Sequence, residues 1–471
     1  MNLGKKTKIV CTIGPATETE EKLEALVEAG MNVMRLNFSH GDFAEHQARV
    51  DSLKKVTEKT GKIVAIMQDL GGPKIRIGEF ENGVITLVEG QEFTLTTDEC
   101  MGNESRVSVN YPKLAKEVKV GGYVLLHDGK KKLQITEIKG NDVVTKVLVG
   151  GEIKNKRGVN LPGAYLSMSS ITEKDRKDLE FGIKNDVDFI ALSFVRRPSD
   201  ITELKELLAA ANSKASIIAK IETPEALENI DEIINICDGL MVARGDLAIE
   251  IPAEEVPLVQ KMLIQRCNSL GKPVITATQM LESMIKSPVP TRAEVSDIAN
   301  AIIDGTDAIM LSEETTLGDF PIEAVEMMTR ISLRVEKDVY TNDTIAEYED
   351  AHGITDITSQ SAVLASHEVD ARFIVALTES GRTARMLSRY RPAERVVAFT
   401  LTETTAKKLT LSFGCYPVVV EKFTTIDEIM AVVRDVALKE KIAAEGDKVV
   451  IVAGMPFGKI KETNMMLIEV L

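Results

Sequence analysis

The sequence predicts an α/β protein built on a closed (β/α)8 barrel, with an all-β unit inserted near its start and a doubly wound α/β unit at its end. Three observations predict this. Short apolar runs alternate with helical patterns, giving eight strands in all, each followed by a helix or by the insertion. Between residues 72 and 157 the alternation stops, and short strands with two-residue periodicity follow one another across Gly, Asn and Asp turns. After a polar segment near 339–356, four more strands alternate with helices and a fifth ends the chain, as expected of a small open sheet with an edge strand. The expected units are therefore 1–71 and 158–338 for the barrel, 72–157 for the insert and 339–471 for the C-terminal unit.

The elements follow in order. The first strand is KIVCTIGP, residues 8–15, and the helical pattern from Glu20 to Ala29 stops at Gly30, a natural C-terminal cap. The second strand, Asn32 to Phe38, leads to a helix near 43–60, and the third runs from Ile63 to Asp69. The insert contains VITLV, EFTLTT, YVLLHDG, KLQITEI and NDVVTKVLVGG, with Asp128-Gly129 as a hairpin turn. Lys130–Lys132 reads as a solvated strand edge. The remaining barrel strands are expected at 188–195, 216–222, 239–244, 274–280 and 308–314. Helices are expected near 172–185, 199–211, 224–236, 254–270, 291–304 and 321–338. The C-terminal strands are expected at 373–378, 396–400, 416–420, 448–453 and 465–470.

A chain of 471 residues is too long for one domain, and 44% hydrophobic with 27% charged residues is an ordinary globular composition. The net charge of −15 argues against nucleic acid or an anionic membrane as a general partner, so an anionic ligand needs a local basic pocket. No apolar run approaches a membrane span, and the opening residues lack the apolar stretch of a secretion signal. Five scattered cysteines without a Cys-x-x-Cys pair point to reduced thiols and a cytoplasmic location.

The chemistry concentrates at strand ends. In Ser216-Ile-Ile-Ala-Lys-Ile-Glu222, Lys220 and Glu222 fall on one side of a buried strand, and Asp246 follows the next strand. Taken alone, Lys220 and Glu222 are most simply a structural ion pair. Arg35, Asn37 and Ser39 share a face at the end of the second strand; Asp69, Thr278 and Ser312 close three others. A barrel brings all these ends to one mouth, and two carboxylates with a lysine there suit a hard cation beside a phosphorylated substrate. In the C-terminal unit, Thr378, Ser380, Gly381, Arg382 and Thr383 lie between a strand and a helix, a pattern shared by phosphate pockets and ordinary helix caps. Gly454 to Lys459 has the wrong spacing for a Walker A loop, and no G-x-G-x-x-G or zinc-ligand pattern is present.

MRLNFSHG, GPKIR, RGVNLPG, AKIE, MVARGDL, ITATQM, PTRAE and DGTDAIMLS, in this order across nearly the whole chain, resemble the pyruvate kinase family. The resemblance implies a TIM barrel with a mobile lid at 72–157. It implies transfer of a phosphoryl group from phosphoenolpyruvate to ADP, giving pyruvate and ATP in the last step of glycolysis, and a homotetramer. Glu222 and Asp246 match ligands of Mg²⁺, with Mn²⁺ as an alternative. Lys220 matches the residue that stabilises the transferring phosphoryl, and Arg35 one that contacts it and positions the nucleotide. The backbone of Gly245 and Asp246 matches the substrate-carboxylate site. Thr278 matches the threonine beside the carbon that becomes the methyl of pyruvate. Arg76, Arg157 and Asn37 match nucleotide contacts, and Thr378, Ser380, Gly381, Arg382 and Thr383 are expected to bind a phosphorylated effector away from the barrel.

Departures from the family pattern carry information too. Asn37, Ser39 and Asp69 match a potassium shell, but Leu70 stands where relatives have threonine and Lys74 where they have glutamate. An ammonium group in that place is expected to replace the monovalent cation, making potassium unnecessary. Glu313 replaces a glycine, His127 precedes Asp128 in the lid turn, and Lys461-Glu462-Thr463-Asn464 replaces the usual Gly-Thr-Thr-Asn. Two other readings are a catalytically silent regulatory barrel and a lyase or aldolase on the same barrel. The intact set Lys220, Glu222, Asp246, Arg35 and Thr278 argues against the first, and the insert and C-terminal unit against the second.

Overall fold

A computed structural model describes residues 4–341, 348, 353–422, 425–456 and 462–471. Most of the expected linker at 339–356, and residues 457–461 near the C-terminus, lie outside that set. Eight parallel strands close into a barrel: Lys8–Thr12, Val33–Asn37, Ala65–Asp69, Phe189–Leu192, Ser216–Ile221, Gly239–Ala243, Val274–Ala277 and Ala308–Leu311. Each pairs with the next in sequence, and the eighth returns to the first with Lys8 opposite Ala308. Strand side chains alternate between two apolar cores. Val10, Val33, Met67, Ile218, Met241, Ile275 and Met310 fill the barrel interior, while Ile9, Cys11, Met34, Leu36, Ile217 and Ile309 pack outward with the helices.

Three strands stop earlier than the apolar runs suggest, at Leu192, Ala277 and Leu311. Val195, Met280 and Glu314 remain buried beyond these ends, but the backbone leaves the ladder. Phe194, Thr278 and Gln279 have positive φ of 53°, 71° and 55°, a conformation unfavourable for side chains of this bulk. All three lie at the barrel mouth. The helix expected over 224–236 is two helices, Pro224–Glu228 and Ile230–Ile236. Asn229 separates them, its amide nitrogen donating to the carbonyls of Arg196 and Glu225 at 3.0 and 2.9 Å. Short turns of helix or 3-10 helix at Leu114–Glu117, Glu282–Ile285 and Glu313–Thr316 have no counterpart in the sequence pattern, and Gly245 and Asp246 lie in the short helix Arg244–Glu250.

The insert forms a six-stranded sheet and a two-stranded ribbon around its own apolar core. Its sheet includes Val159–Asn160, which pair with Leu126 and Leu125, slightly beyond the expected limit at 157. The hairpin joining Tyr123–Leu126 to Lys131–Lys139 turns through His127, Asp128 and Gly129, all with positive φ. The C-terminal sheet has four parallel strands and an antiparallel edge strand, Met465–Val470.

This last unit docks on the base of the barrel. Leu411 joins the barrel's interior core. Arg391 donates to Asn268 Oδ1 at 2.6 Å and the Gly305 carbonyl at 2.5 Å, and pairs with Asp307 at 3.1 Å, all three groups belonging to the barrel. Glu336, on the last barrel helix, accepts the backbone N–H groups of Lys6 and Thr7, both at 2.7 Å. No described helix is long and apolar enough to cross a membrane.

Candidate active site

At the mouth, four buried charged side chains form a continuous chain. Arg35 Nε donates to Asp69 Oδ2 at 2.7 Å. Asp69 Oδ1 lies 3.2 Å from Lys220 Nζ, which lies 3.0 Å from Glu222 Oε1. The order is cation, anion, cation, anion, with the two carboxylates 1% exposed. Barrel register places them: Arg35 lies opposite Met67, two residues before Asp69, on the neighbouring strand, and Lys220 is the last residue but one of the fifth strand. Burial would raise the Asp69 carboxyl, but Lys220 and Arg35 outweigh it and hold it below the ordinary carboxylate range. For Lys220, burial acts to lower the ammonium, while Asp69 and Glu222 raise it above the ordinary lysine value. It is therefore a fixed cation at neutral pH.

Two neighbours absent from the sequence reading complete this network. Ser193 Oγ accepts from Lys220 Nζ at 2.6 Å and donates to the Leu70 carbonyl at 2.7 Å. Thr12 Oγ1 accepts from Arg35 Nη1 at 2.7 Å. Both are polar residues at barrel strand ends, the same signal that singles out Asn37 and Thr278.

Glu222 is the exception within the chain. Its Oε2 accepts the Phe194 N–H at 2.7 Å. Its Oε1 faces Lys220 off the hydrogen-bonding direction, leaving that buried oxygen with a nearby charge but no donor. Burial raises the Glu222 carboxyl, Lys220 counteracts, and Asp246 repels it further. An orphaned carboxylate oxygen beside a second carboxylate is a donor set that fits a hard divalent cation.

Thr278 and Gly245 are also together: the Gly245 N–H donates to Thr278 Oγ1 at 2.8 Å. Arg244, which sequence analysis passed over, fixes this turn by donating to the carbonyls of Ala277 and Thr278 and to Asp297 Oδ1, at 3.1, 2.7 and 2.7 Å. The Ser312 N–H is taken by Glu314, at 2.7 Å.

Above this floor, a cleft of about 540 Å³ opens between mouth and lid. Lys74, Arg76, Arg157 and Asp246 line it, with Asp128 from the lid turn and the exposed Glu313. Arg76 Nη1 donates to the Lys156 carbonyl, whereas Arg157 Nε is buried without a partner. Partial burial, then Lys74, Arg35 and Arg76, push the His40 imidazole below its ordinary value, a mark of positive potential here. Asn37 Oδ1 accepts the Ser39 N–H at 3.1 Å, and Lys74 Nζ lies 3.4 Å from Ser39 Oγ.

The loop at 378–383 belongs elsewhere, in the C-terminal unit. Thr378 N–H continues the sheet to the Phe399 carbonyl, Thr383 Oγ1 meets Thr463 Oγ1 at 2.9 Å, and Ser380 and Arg382 line a separate cavity at the barrel base.

Fold and site together define a phosphotransferase on a (β/α)8 barrel, its fixed cations and paired carboxylates gathered under a cleft lined by charges of both signs. Comparison with known proteins gives the family. Residues 4–325 match the model described as pyruvate kinase, barrel domain, and residues 356–469 that described as pyruvate kinase, alpha/beta domain. The chain belongs to the pyruvate kinase family. It is 49% identical to the pyruvate kinases of Geobacillus stearothermophilus and Sporosarcina psychrophila, over 99% of this chain and 80% of each of theirs. A pyruvate kinase structure from Cryptosporidium parvum superimposes with a TM-score of 0.93 at 38% identity, covering 99% of this chain and 96% of the other.

Proposed function

We propose that this chain transfers the phosphoryl group of phosphoenolpyruvate to ADP, giving pyruvate and ATP as the last step of glycolysis, with Mg²⁺ or Mn²⁺ but without potassium. The observation that carries the reading is the alternating chain Arg35, Asp69, Lys220, Glu222 beneath the cleft between mouth and lid. A phosphoryl group in transfer spreads negative charge over its oxygens, and fixed cations stabilise that state without reorganising. Lys220 is held by Asp69, Glu222 and Ser193, and Arg35 by Asp69 and Thr12. Both keep charge and position before substrate arrives.

Glu222 and Asp246 would hold the divalent ion. When bound, it supplies positive charge beside the transferring oxygens. The substrate carboxylate is assigned to the backbone of Gly245 and Asp246. The Gly245 N–H donates to Thr278 Oγ1, whose own proton goes to the Ala277 carbonyl at 2.6 Å, so a carboxylate that takes this N–H opens a lone pair on the Thr278 oxygen. That hydroxyl then lies beside the carbon that becomes the methyl group, suited to a part in its protonation. Arg76, Arg157 and Asn37 are assigned to the nucleotide, with the unpartnered Arg157 Nε as support.

The exposed apolar residues of the edge strand, Met466, Ile468 and Val470, support assembly into a homotetramer, and the free cysteines support a cytoplasmic setting.

Potassium independence rests on Lys74, an exposed side chain whose ammonium lies 3.4 Å from the Oγ of Ser39, one of the expected shell residues Asn37, Ser39 and Asp69. Two cations a few ångströms apart in a partly dry site repel by roughly several kcal/mol. ATP formation is therefore expected at full rate in tetramethylammonium buffer with Mg²⁺, and Lys74→Glu is expected to create a potassium requirement. A rise of orders of magnitude in wild-type rate on adding potassium would overturn this part. Absence of ATP formation under any salt would overturn the whole reading.

A further inference from the structure

The short helix Arg244–Glu250 carries both Gly245 and Asp246, yet little of its own holds it in place. It is seven residues long, no side chain caps its start, and Leu247 is its one buried residue. A helix of about two turns gains almost nothing from its own backbone bonds, so its position depends on what grips it from outside. Two charged side chains, one at each end, supply that grip. Arg244 ties the first turn to the barrel, through the carbonyls of Ala277 and Thr278 and through Asp297. Glu250, the last residue, reaches the other way. Its Oε1 accepts from Asn160 Nδ2 at 2.9 Å, and Asn160 belongs to the sheet of the insert.

The insert meets this helix a second time. Its hairpin turn lies over the same end, where a carbon added to Gly129 would stand 3.6 Å from Ile249 Cγ2. The His127 N–H donates to the Gly158 carbonyl at 3.1 Å, which joins that turn to the strand holding Asn160. Turn and asparagine therefore move together. Asn160, Asp246 and Glu250 all line the cleft. Glu250 lies four residues beyond Asp246, about one turn of helix. If the insert moves away, a partly buried carboxylate loses its donor, and the end of the helix must shift to bring that carboxylate to water.

We propose that Glu250 is a positioning residue: through its bond to Asn160, the insert sets the place of Asp246 and of the Gly245 N–H. The proposal rests on the assignment of Glu222 and Asp246 to the divalent ion. Ion binding and docking of the insert are then coupled in both directions, each strengthening the other by the same factor. This coupling needs neither substrate nor nucleotide in the cleft, because the connection runs through the protein's own helix.

The test is a titration with Mn²⁺ followed by electron paramagnetic resonance, on the full chain without substrate or nucleotide, at pH 7.5. Asn160→Asp sets two carboxylates against each other, so the insert should leave the helix and Mn²⁺ should bind about fivefold more weakly. The added negative charge by itself acts the other way and tightens Mn²⁺, which separates the proposal from a general field effect. Adding Glu250→Gln turns the pair round, with an amide donor on the helix and a carboxylate acceptor on the insert, and leaves the charge of the pair as in the wild type. Mn²⁺ affinity should then return toward the wild-type value. Deuterium exchange over residues 247–251, read on the same samples, should be faster in Asn160→Asp and slow again in the double variant. Unchanged or tighter Mn²⁺ binding in Asn160→Asp would overturn the proposal. So would a double variant as weak as the single one, since the loss would then come from damage to the insert. Asp246→Asn keeps the two readings apart, because it should lose Mn²⁺. If it binds as the wild type does, the metal assignment itself falls, and the proposal with it. If it loses Mn²⁺ while Asn160→Asp does not, the coupling alone falls.

Discussion

The two ends of the barrel handle buried charge in opposite ways. At the mouth, Arg35, Asp69, Lys220 and Glu222 alternate in sign and every member touches the next. At the base, Arg391 and Asp307 make one locked pair, yet Arg382, Arg385 and Lys408 line a cavity whose carboxylates, Asp238 and Asp356, make no ion pair with them among the described residues. The difference follows from what each end has to do. Groups that stabilise a transient charge must be in place before it appears, so their positions are held by one another. The self-sufficient end is therefore the one that substitution should damage most sharply in activity, and the locked pair at the base the one that it should damage in stability.

Lys220→Met tests the first half. Removing one fixed charge from a site built for a transition state costs several kcal/mol of barrier, so turnover is expected to fall by about a thousandfold or more. Phosphoenolpyruvate and Mg²⁺ binding should persist, measured by calorimetry on the same preparation. Near-normal turnover would break the assignment. The variant also leaves Asp69 with Arg35 as its one cationic partner, and Glu222 with none. Thermal unfolding should therefore shift downward as well, which separates a site of mutual pairs from a lysine that acts alone.

Arg391→Met tests the base. The guanidinium holds Asp307, Asn268 and the Gly305 carbonyl together, and its loss leaves a buried carboxylate with its cation gone. Breaking a buried pair from one side costs about 3–5 kcal/mol. Denaturant unfolding should show the loss, and adding Asp307→Asn, which removes the charge and keeps an acceptor for the Phe413 and Val274 N–H groups, should restore much of it. If the double variant is no more stable than the single one, Arg391 acts through its other contacts rather than through the pair.

The barrel was legible because strand periodicity and helix caps are local, and eight repeats leave few alternatives. Lys220, Glu222 and Arg35 were legible because polar groups at the ends of apolar strands are rare and a barrel must gather them. Ser193 and Thr12 carry the same signal and were passed over, each being a single hydroxyl in an apolar run. The early ends of the strands at Leu192, Ala277 and Leu311 were not legible. Apolar composition continues past them, and the left-handed backbone at Phe194, Thr278 and Gln279 depends on tertiary contacts such as Arg244 on the carbonyls of Ala277 and Thr278. The break at Asn229 was hidden for a similar reason, since it depends on the carbonyl of Arg196. The basic cavity escaped notice because Arg385 and Lys408 look like ordinary helix-surface residues until the C-terminal unit is docked on the barrel.

The smallest effect expected is at Asp188, also at the base, where a carboxylate rather than a cation lacks a close counter-charge. Its Oδ2 accepts the Ile66 N–H at 2.8 Å. Burial pushes its carboxyl up to about 6, an effect that this N–H and the more distant Lys407 and Lys408 only partly oppose. The folded pKa lies above the unfolded one, so the folded state holds the proton more tightly through the window from about 4 to 6. The contribution favours folding below that window and is lost as pH rises through about 6. At neutral pH the charged carboxylate costs up to about 3 kcal/mol, the equivalent of two pKa units. Asp188→Asn keeps an acceptor for Ile66 and removes the charge, so it is expected to stabilise the protein by about 1–3 kcal/mol at pH 7.5. The gain should narrow by roughly half at pH 5, where the wild-type group is already largely protonated. Urea unfolding at the two pH values measures both quantities. A variant that folds but is equally or less stable at pH 7.5 would mean that Lys407 and Lys408 compensate Asp188 after all, and that the base is less starved of counter-charge than its geometry implies.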